Sequence, residues 1–371
     1  MPLSGRIHGP PGGEDPVVIQ TTPHVARSRD TSTDGSGVVE VGSAVGGVWA
    51  AHRPLAGQLR QMLHAGELDL PLPGAGQTAR RWAALADWGG RDLSLARLAE
   101  GHVDALAILA EAGRSPVPGA LYGVWASRSG GAAVRLEQGR TSRVLTGEMR
   151  FCSGARVLDR VLLVADPAGD SSSTERLLVD VDVRVAGVEP EPDSWCTAAM
   201  ADADTLDVVV REVAVGDADL VGPPGWYVAR PGFAVGGAGV AAVWWGGAAG
   251  VLDRVLGHLR PVPDAHQLAH VGELHAALAA SDALLARTAA MVDEDPAADH
   301  GLAVATVRAA VERATREVLD RVPRIVGPAP LSRDVGLARA LADLALYVRQ
   351  HHAERDHAAL GGQVVDRWRS A

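Results

Sequence analysis

Apolar positions recur along this chain in three successive rhythms, and each rhythm predicts a different kind of element. From Trp49 to about Ala112 the spacing is helical: Leu55, Leu59 and Leu63 share one face, and Leu95, Leu98, Val103, Leu106 and Leu109 repeat the pattern across Gly101. Asp69-Leu70-Pro71-Leu72-Pro73-Gly74 breaks this stretch, and Thr78 heads the next helix as a cap. After Gly113-Arg114-Ser115-Pro116-Val117-Pro118-Gly119 the rhythm shortens. Aliphatic and β-branched runs between Gly, Pro and Asp turns predict strands at 121–127, 132–136, 143–145, 157–165, 176–182, 205–215 and 226–229. Beyond Pro231 helical spacing returns, over 233–259, 264–291, 302–322 and 334–357.

These rhythms predict an α+β chain: an N-terminal helical domain over 47–118, a central antiparallel β-barrel domain over 119–230, and a C-terminal four-helix bundle over 231–371. Residues 1–46, rich in Gly, Pro, Ser, Thr and Asp, are expected to form a disordered tail. The helix predicted from Phe233 is crowded with Gly236, Gly237, Gly239, Gly246, Gly247 and Gly250. Each glycine costs a helix about 1 kcal/mol relative to alanine, so close packing against another helix has to offset them.

Charge and composition narrow the classes. The formal charge is −10, and all 35 basic side chains are arginine. That surface lacks the concentrated basic face of a nucleic-acid binder. Cys152 and Cys196 are too few for a disulfide framework and have no metal-ligand spacing, which makes the cytoplasm the expected compartment. No apolar run is read as a membrane span, and no signal peptide is expected.

The stretch richest in chemistry is Gly147-Glu148-Met149-Arg150-Phe151-Cys152-Ser153-Gly154-Ala155, a small-residue corner between two strands. Read locally, it is either a plain hairpin corner, with Gly154 and Ala155 permitting tight packing, or a ligand-facing one. Followed by Asp159 and an aliphatic strand, it resembles the central β domain of the acyl-CoA dehydrogenase superfamily, and its Phe-Cys-Ser-Gly-Ala wording is closer to the flavin monooxygenase branch. The resemblance spans about residues 49–362 and implies FAD, with Phe151 and Ser153 lining the isoalloxazine. It also places Val124-Trp125-Ala126-Ser127 where relatives carry a Thr-Glu-Pro strand end over the flavin, so that Tyr122, Trp125 and Ser127 become candidate cofactor residues. The Gly-Ser-Asp of relatives is replaced by Arg128-Ser129-Gly130-Gly131-Ala132. In the bundle, Arg260 and Gln267 stand where relatives donate Arg-x-x-Phe-Gly and a glutamine across a subunit interface, and Gly327 stands where they carry Gly-Gly.

The end of the last predicted helix, Arg349-Gln350-His351-His352-Ala353-Glu354-Arg355-Asp356-His357, is the candidate source of a base. In dehydrogenases a glutamate of this region removes the α-proton of an acyl thioester, and monooxygenase relatives place a histidine there; the resemblance puts that position on His351 or His352, with Glu354 nearby but out of register, and all three are candidates. A solvated helix end, with histidines suited to the helix dipole, accounts for the same letters. Glu354 and His357 also form one Glu-x-x-His, but no second copy completes a di-iron set, so no metal is expected. His102 and Asp104, in a helix that the resemblance places beside the substrate cavity, are secondary candidates.

The resemblance thus implies an FAD-dependent oxidoreductase that oxidises an acyl thioester or related acyl substrate by hydride transfer to flavin N5. Alternatives on the same scaffold are a flavin-dependent monooxygenase or a relative that has lost flavin. Its implied partners are a small acyl substrate such as a CoA thioester, a second copy or a tetramer through the C-terminal bundle, and an electron-transfer or flavin-reductase partner.

Overall fold

The structure is a computed structural model that describes residues 55–139, 142–168 and 175–371. The tail expected over 1–46 and the start of the helical stretch at Trp49 lie outside these residues. In chain order the elements are helices α1 (Leu55–His64), α2 (Thr78–Arg91) and α3 (Leu93–Glu111); strands β1 (Tyr122–Trp125), β2 (Val134–Gln138), β3 (Arg143–Cys152), β4 (Arg160–Pro167), β5 (Leu177–Asp182), β6 (Val188–Glu191) and β7 (Leu206–Val215); and helices α4 (Trp226–Ala229), α5 (Gly232–His258), α6 (Ala265–Glu294), α7 (Gly301–Val326), α8 (Pro328–Arg333), α9 (Val335–Tyr347) and α10 (Glu354–Ser370).

The helix rich in glycine is the axis of the molecule. Along α5, Gly246 and Gly250 lie directly on α2: a Cβ on Gly246 would collide with the Ala86 carbonyl, and one on Gly250 would come within 2.5 Å of the Gly90 carbonyl oxygen. Gly89 returns the constraint from α2, where a Cβ would strike the Val243 carbonyl. The two backbones therefore touch without side chains between them, and that contact offsets the low helix propensity of the glycines. On its other faces α5 meets α3, α6, α7 and α9. It is long and apolar enough to cross a membrane by length and composition, unlike the sequence expectation, yet 67% of its apolar window is buried inside the protein. Here it is a core helix.

The antiparallel barrel expected over 119–230 is instead an open sheet of mixed pairing. Seven strands form it, with β6 and β7 at one side, then β3 and β2, and β4 carrying β5 at the other. β1 and β2 are two pieces of one line, interrupted by the turn at Ser129–Gly131, and both run parallel to β4, Tyr122–Trp125 beside Arg160–Leu163 and Val134–Leu136 beside Ala165–Pro167. Among the described residues no ladder joins β6 to β5 to close the sheet.

Two further expectations are corrected. Residues 226–229, read as a strand from Trp-Tyr-Val, form the single helical turn α4, because Gly225 turns the chain at φ 77° and the Arg230 amide closes onto the Trp226 carbonyl at 2.9 Å. The last predicted helix ends at Tyr347 and restarts at Glu354, with Ala353 at φ 45° in the break. Apolar spacing stops at Val348, so no packed face carries a continuous helix through 349–353.

Polar ties hold the layers together. Arg60 on α1 grips the Asp159 carboxylate with bonds of 3.0 and 2.9 Å, and the Leu121 amide adds a third at 2.8 Å. Burial alone would raise Asp159, but these donors hold it below the usual carboxylate range.

The helix crossing makes a paired prediction. Gly246→Ala should lower unfolding stability by about 3 kcal/mol through overpacking, whereas Gly272→Ala in α6, where a Cβ meets nothing within 4 Å, should raise it by up to about 1 kcal/mol. Urea unfolding of both variants checks this; equal stabilities would refute the backbone-contact account.

Candidate functional site

The corner predicted to carry chemistry lies at the end of β3, and a β-bulge shapes it. Opposite β7, Met149 pairs with Val208 and Cys152 with Leu206, so two residues of β3, Arg150 and Phe151, face Asp207 alone. Phe151 absorbs the extra residue at φ 59°, a region non-glycine residues avoid, and its ring is turned outward and left 50% exposed against the edge of Trp195. Without the bulge, alternation would not bring both Met149 and Cys152 into the core while ejecting Phe151. Burial pushes the Cys152 thiol well above its ordinary value, so it is an inert neutral group.

Behind Phe151, Ser153 shares a hydrogen bond of 3.0 Å with the Thr205 hydroxyl, and the Trp125 indole donates to the Ser153 carbonyl at 3.0 Å. Phe151, Ser153 and Trp125 are thus brought together, with Ser127 two residues beyond Trp125. Tyr122 is not: alternation along β1 puts it on the opposite face, in the smaller core with Ile108 and Leu162, its hydroxyl toward Asp180.

The corner is fastened to the C-terminal helices. The Gly154 amide donates to the Ala203 carbonyl, and the Arg156 side chain and amide bind Asp204. One turn earlier Asp202 pairs with Arg339, and the Met200 amide donates to Asp343 at 2.6 Å, both partners on α9. The β3 corner and α9 therefore lie side by side, joined through residues 200–204. The cavity beside this junction, between α2, α5 and α9, holds about 80 Å³. That is well below the roughly 300–1,000 Å³ of a ligand pocket, so a large planar ligand at Phe151 would lie on the outward surface of the chain.

On α3 a row of ionisable groups runs through the interior. Arg97 binds Glu100 at 2.8 Å, Asp104 follows on the same face, and Arg81 from α2 donates to the Val103 carbonyl at 2.9 Å. Glu100 is pushed up to about 7, by burial first, against the pull of Arg97 and with help from Asp104. Tyr347 on α9 is raised too, by burial and by Glu100, and its hydroxyl has no hydrogen-bond partner. Arg81, Glu100 and Asp104 line a space of about 10 Å³, room for a single water. The same helix touches the corner through Leu98, which packs against Gly154. Glu100 escaped the sequence reading although a signal existed: Arg97, Glu100 and Asp104 recur at one-turn spacing on an otherwise apolar helix.

His102 is a peg between α3 and β1. Its Nδ1 accepts from the Tyr122 amide at 3.0 Å, and burial depresses it to about 4, so the ring is neutral with its proton on Nε2. The three candidates near the last helix are dispersed. His351 is buried in the break after α9, His352 is exposed with its amide bonded to Asp356, and Glu354 is exposed at the start of α10. Arg260 is a surface residue near Asp264, while Gln267 donates to the Ile325 carbonyl at 2.8 Å, close to Gly327, so the last two residues meet at one end of the helical bundle.

Residues 224–348 match the family model for the acyl-CoA dehydrogenase C-terminal domain. No curated protein sequence matches the chain. Among solved structures, dibenzothiophene monooxygenase TdsC from Paenibacillus sp. A11-2 is similar over 84% of this chain and 95% of its own, at 20% identity and a TM-score of 0.66. PigA in its FAD complex aligns over 84% of this chain and 89% of its own, at 13% identity and a TM-score of 0.71. Butyryl-CoA dehydrogenase from Megasphaera elsdenii covers 84% and 94%, at 15% identity and a TM-score of 0.69. Residues 224–348 thus carry the acyl-CoA dehydrogenase C-terminal domain, and the chain shares its fold with these solved structures.

Proposed function

We propose that the β3 corner holds the ring of a flavin and that the protein is a flavin-dependent oxidoreductase acting on an acyl group. The observation that carries this is Phe151: an aromatic side chain at φ 59°, bulged out of its strand and half exposed, has only an edge contact with Trp195 as its packing return for that strain. A planar ring stacked on it would supply that return. Ser153 and Thr205 share one hydrogen bond between two hydroxyls, which leaves a second O–H to donate to a polar ring edge. Trp125 fixes the Ser153 backbone, and Ser127 is the remaining hydroxyl on that strand end. These groups fit an isoalloxazine, which FAD and FMN share; TdsC has been solved with FMN and PigA with FAD. FAD is the reading preferred here, because Arg260 and Gln267 of a second copy would meet its diphosphate end.

When bound, the flavin supplies a hydride acceptor. Oxidising an acyl chain between its α and β carbons also requires a base for the α-proton, while the hydride leaves the β carbon. We assign that proton to the carboxylate of Glu100, on the helix that touches the corner through Leu98; the acyl chain would have to displace the side chains that now leave room for one water beside it. Its value near 7 leaves it able to take a proton at neutral pH and strong enough to matter. Arg97 orients the carboxylate, and the unpartnered Tyr347 hydroxyl marks an unmet polar need beside it. Monooxygenation on the same scaffold, the activity named for TdsC, has no need of an α-proton base. Reducing partners and a second copy across the helical bundle belong to this reading as proposals.

Phe151→Gly should relieve backbone strain and raise stability by about 1 kcal/mol, while weakening flavin binding by at least about tenfold through loss of the stacking face. Flavin fluorescence titration and thermal unfolding read the two effects; unchanged flavin affinity would sink the placement. Glu100→Gln should cut anaerobic flavin reduction by an acyl-CoA by about 100-fold or more, with flavin content retained. The same variant tests the titration. A carboxyl raised in the folded state holds its proton between about 4.5 and 7 while the unfolded chain loses it, so wild-type stability should fall across that window by on the order of a few kcal/mol relative to Glu100→Gln, then level off.

A further inference from the structure

The break between α9 and α10 assembles a cluster that none of the preceding chemistry uses. We propose that Glu312, His351 and His357 form a binding site for a divalent transition-metal ion, zinc by preference, that fastens α10 to α7. One ligand atom from each of the three lies within 4.8 Å of the other two. Glu312 is 1% exposed and His351 3% exposed. Within that buried pair, Glu312 Oε2 and His351 Nδ1 have no hydrogen-bond partner. Two orphaned buried polar atoms on neighbouring residues of one cluster are an arrangement that folded proteins avoid unless something else completes it. A cation satisfies both at once.

The surroundings say which cation. Glu312 Oε1 is already held by Arg316 at 2.8 Å and Arg349 at 3.2 Å, which fixes the carboxylate and leaves Oε2 as the free ligand atom, as outer hydrogen bonds do around bound metals. Those guanidiniums, with Arg308 one turn earlier on α7, offset the negative charge of Glu312 and of Asp356, which also faces His351. Affinity must then come from ligand chemistry and not from net charge, which favours an ion that prefers imidazole nitrogen over calcium or magnesium. The centroids of the His351 and His357 rings lie 5.0 Å apart. Two imidazoles and one carboxylate make a three-ligand zinc set, and because His357 is exposed, solvent can take the fourth position.

The fold gives the site a purpose. α10 buries no residue of its own and packs chiefly on α7, so apolar contact alone holds it weakly. The chain enters α10 through Ala353 at φ 45°, a turn that aims His357 back toward His351. The Glu-x-x-His spacing in the sequence pointed at His357 with the wrong partner: Glu312, 45 positions earlier on another helix, takes the place of Glu354. A metal on His351 also agrees with assigning the base to Glu100, although the two assignments are tested separately.

The full chain, dialysed against a chelator and titrated with zinc chloride in a calorimeter, should bind one ion with a micromolar or tighter dissociation constant. Zinc should also slow hydrogen exchange of the α10 amides. His357→Ala, at an exposed position where circular dichroism should confirm an intact fold, should weaken binding by about 100-fold. His352→Ala, the exposed imidazole outside the trio, should leave it unchanged. No binding by the wild type, or the same affinity in His357→Ala, would overturn the site; binding without slower exchange in α10 would overturn its fastening role.

Discussion

Backbone-to-backbone contact between α2 and α5 is the constraint on which the rest of the structure depends. Gly89 and Gly90 on one helix meet Gly246 and Gly250 on the other, and no side chain separates them. Close approach of this kind leaves little freedom in how α5 is rotated, because the glycine stripe must face α2. Rotation fixed there decides what the other faces of α5 meet. Trp244 is turned into the core against Tyr347, with Arg308 stacked 4.8 Å from its ring, and Gly236 is brought beside Asp104. The buried ionisable row on α3 and the end of α9 are therefore positioned by an apolar contact some distance away.

A second tie links the sheet to the helices. The segment from Met200 to Asp204 uses two left-handed non-glycine residues, Met200 at φ 55° and Asp204 at φ 47°, to reach both the β3 corner and α9. Asp202, Asp204 and Asp343 each satisfy an arginine or an amide there, so the bend is stabilised by charged hydrogen bonds that are stronger than neutral ones. Strain collects at Phe151 and along 200–204, the two sides of the same corner. Strained backbone persists where surrounding contacts determine it, and such places are concentrated at ligand sites.

The interior charges carry a consistent pattern. At Asp159 Arg60, Arg184 and the Leu121 amide together win over burial, and the carboxylate stays ionised to bind α1 to the sheet. At Glu100 Arg97 is the one side-chain donor, Arg81 acts only through its charge, and burial wins. The difference is the number of donors around each carboxylate, and it separates a structural ion pair from a group whose protonation changes near neutrality.

Periodicity alone determined the order of helices, strands and helices, because the spacing of apolar residues is a local property that each segment carries by itself. It located the crowded glycines and the corner at 147–155, and the letters of that corner pointed to the superfamily. Tertiary structure decided what depends on partners distant in sequence. Whether β1 and β2 run parallel to β4, and so whether the sheet closes, is set by register between strands roughly 30 to 40 residues apart. The bulge that turns Phe151 outward exists only opposite Asp207, and Trp226–Ala229 became helical because Gly225 turned the chain despite its strand-like residues. The value of Glu100 follows from burial beneath α5 and α9, and Glu312 meets His351 and His357 only because α7 passes the break in the last helix. Burial and through-space contact are sums over the whole fold, and no window of sequence contains them.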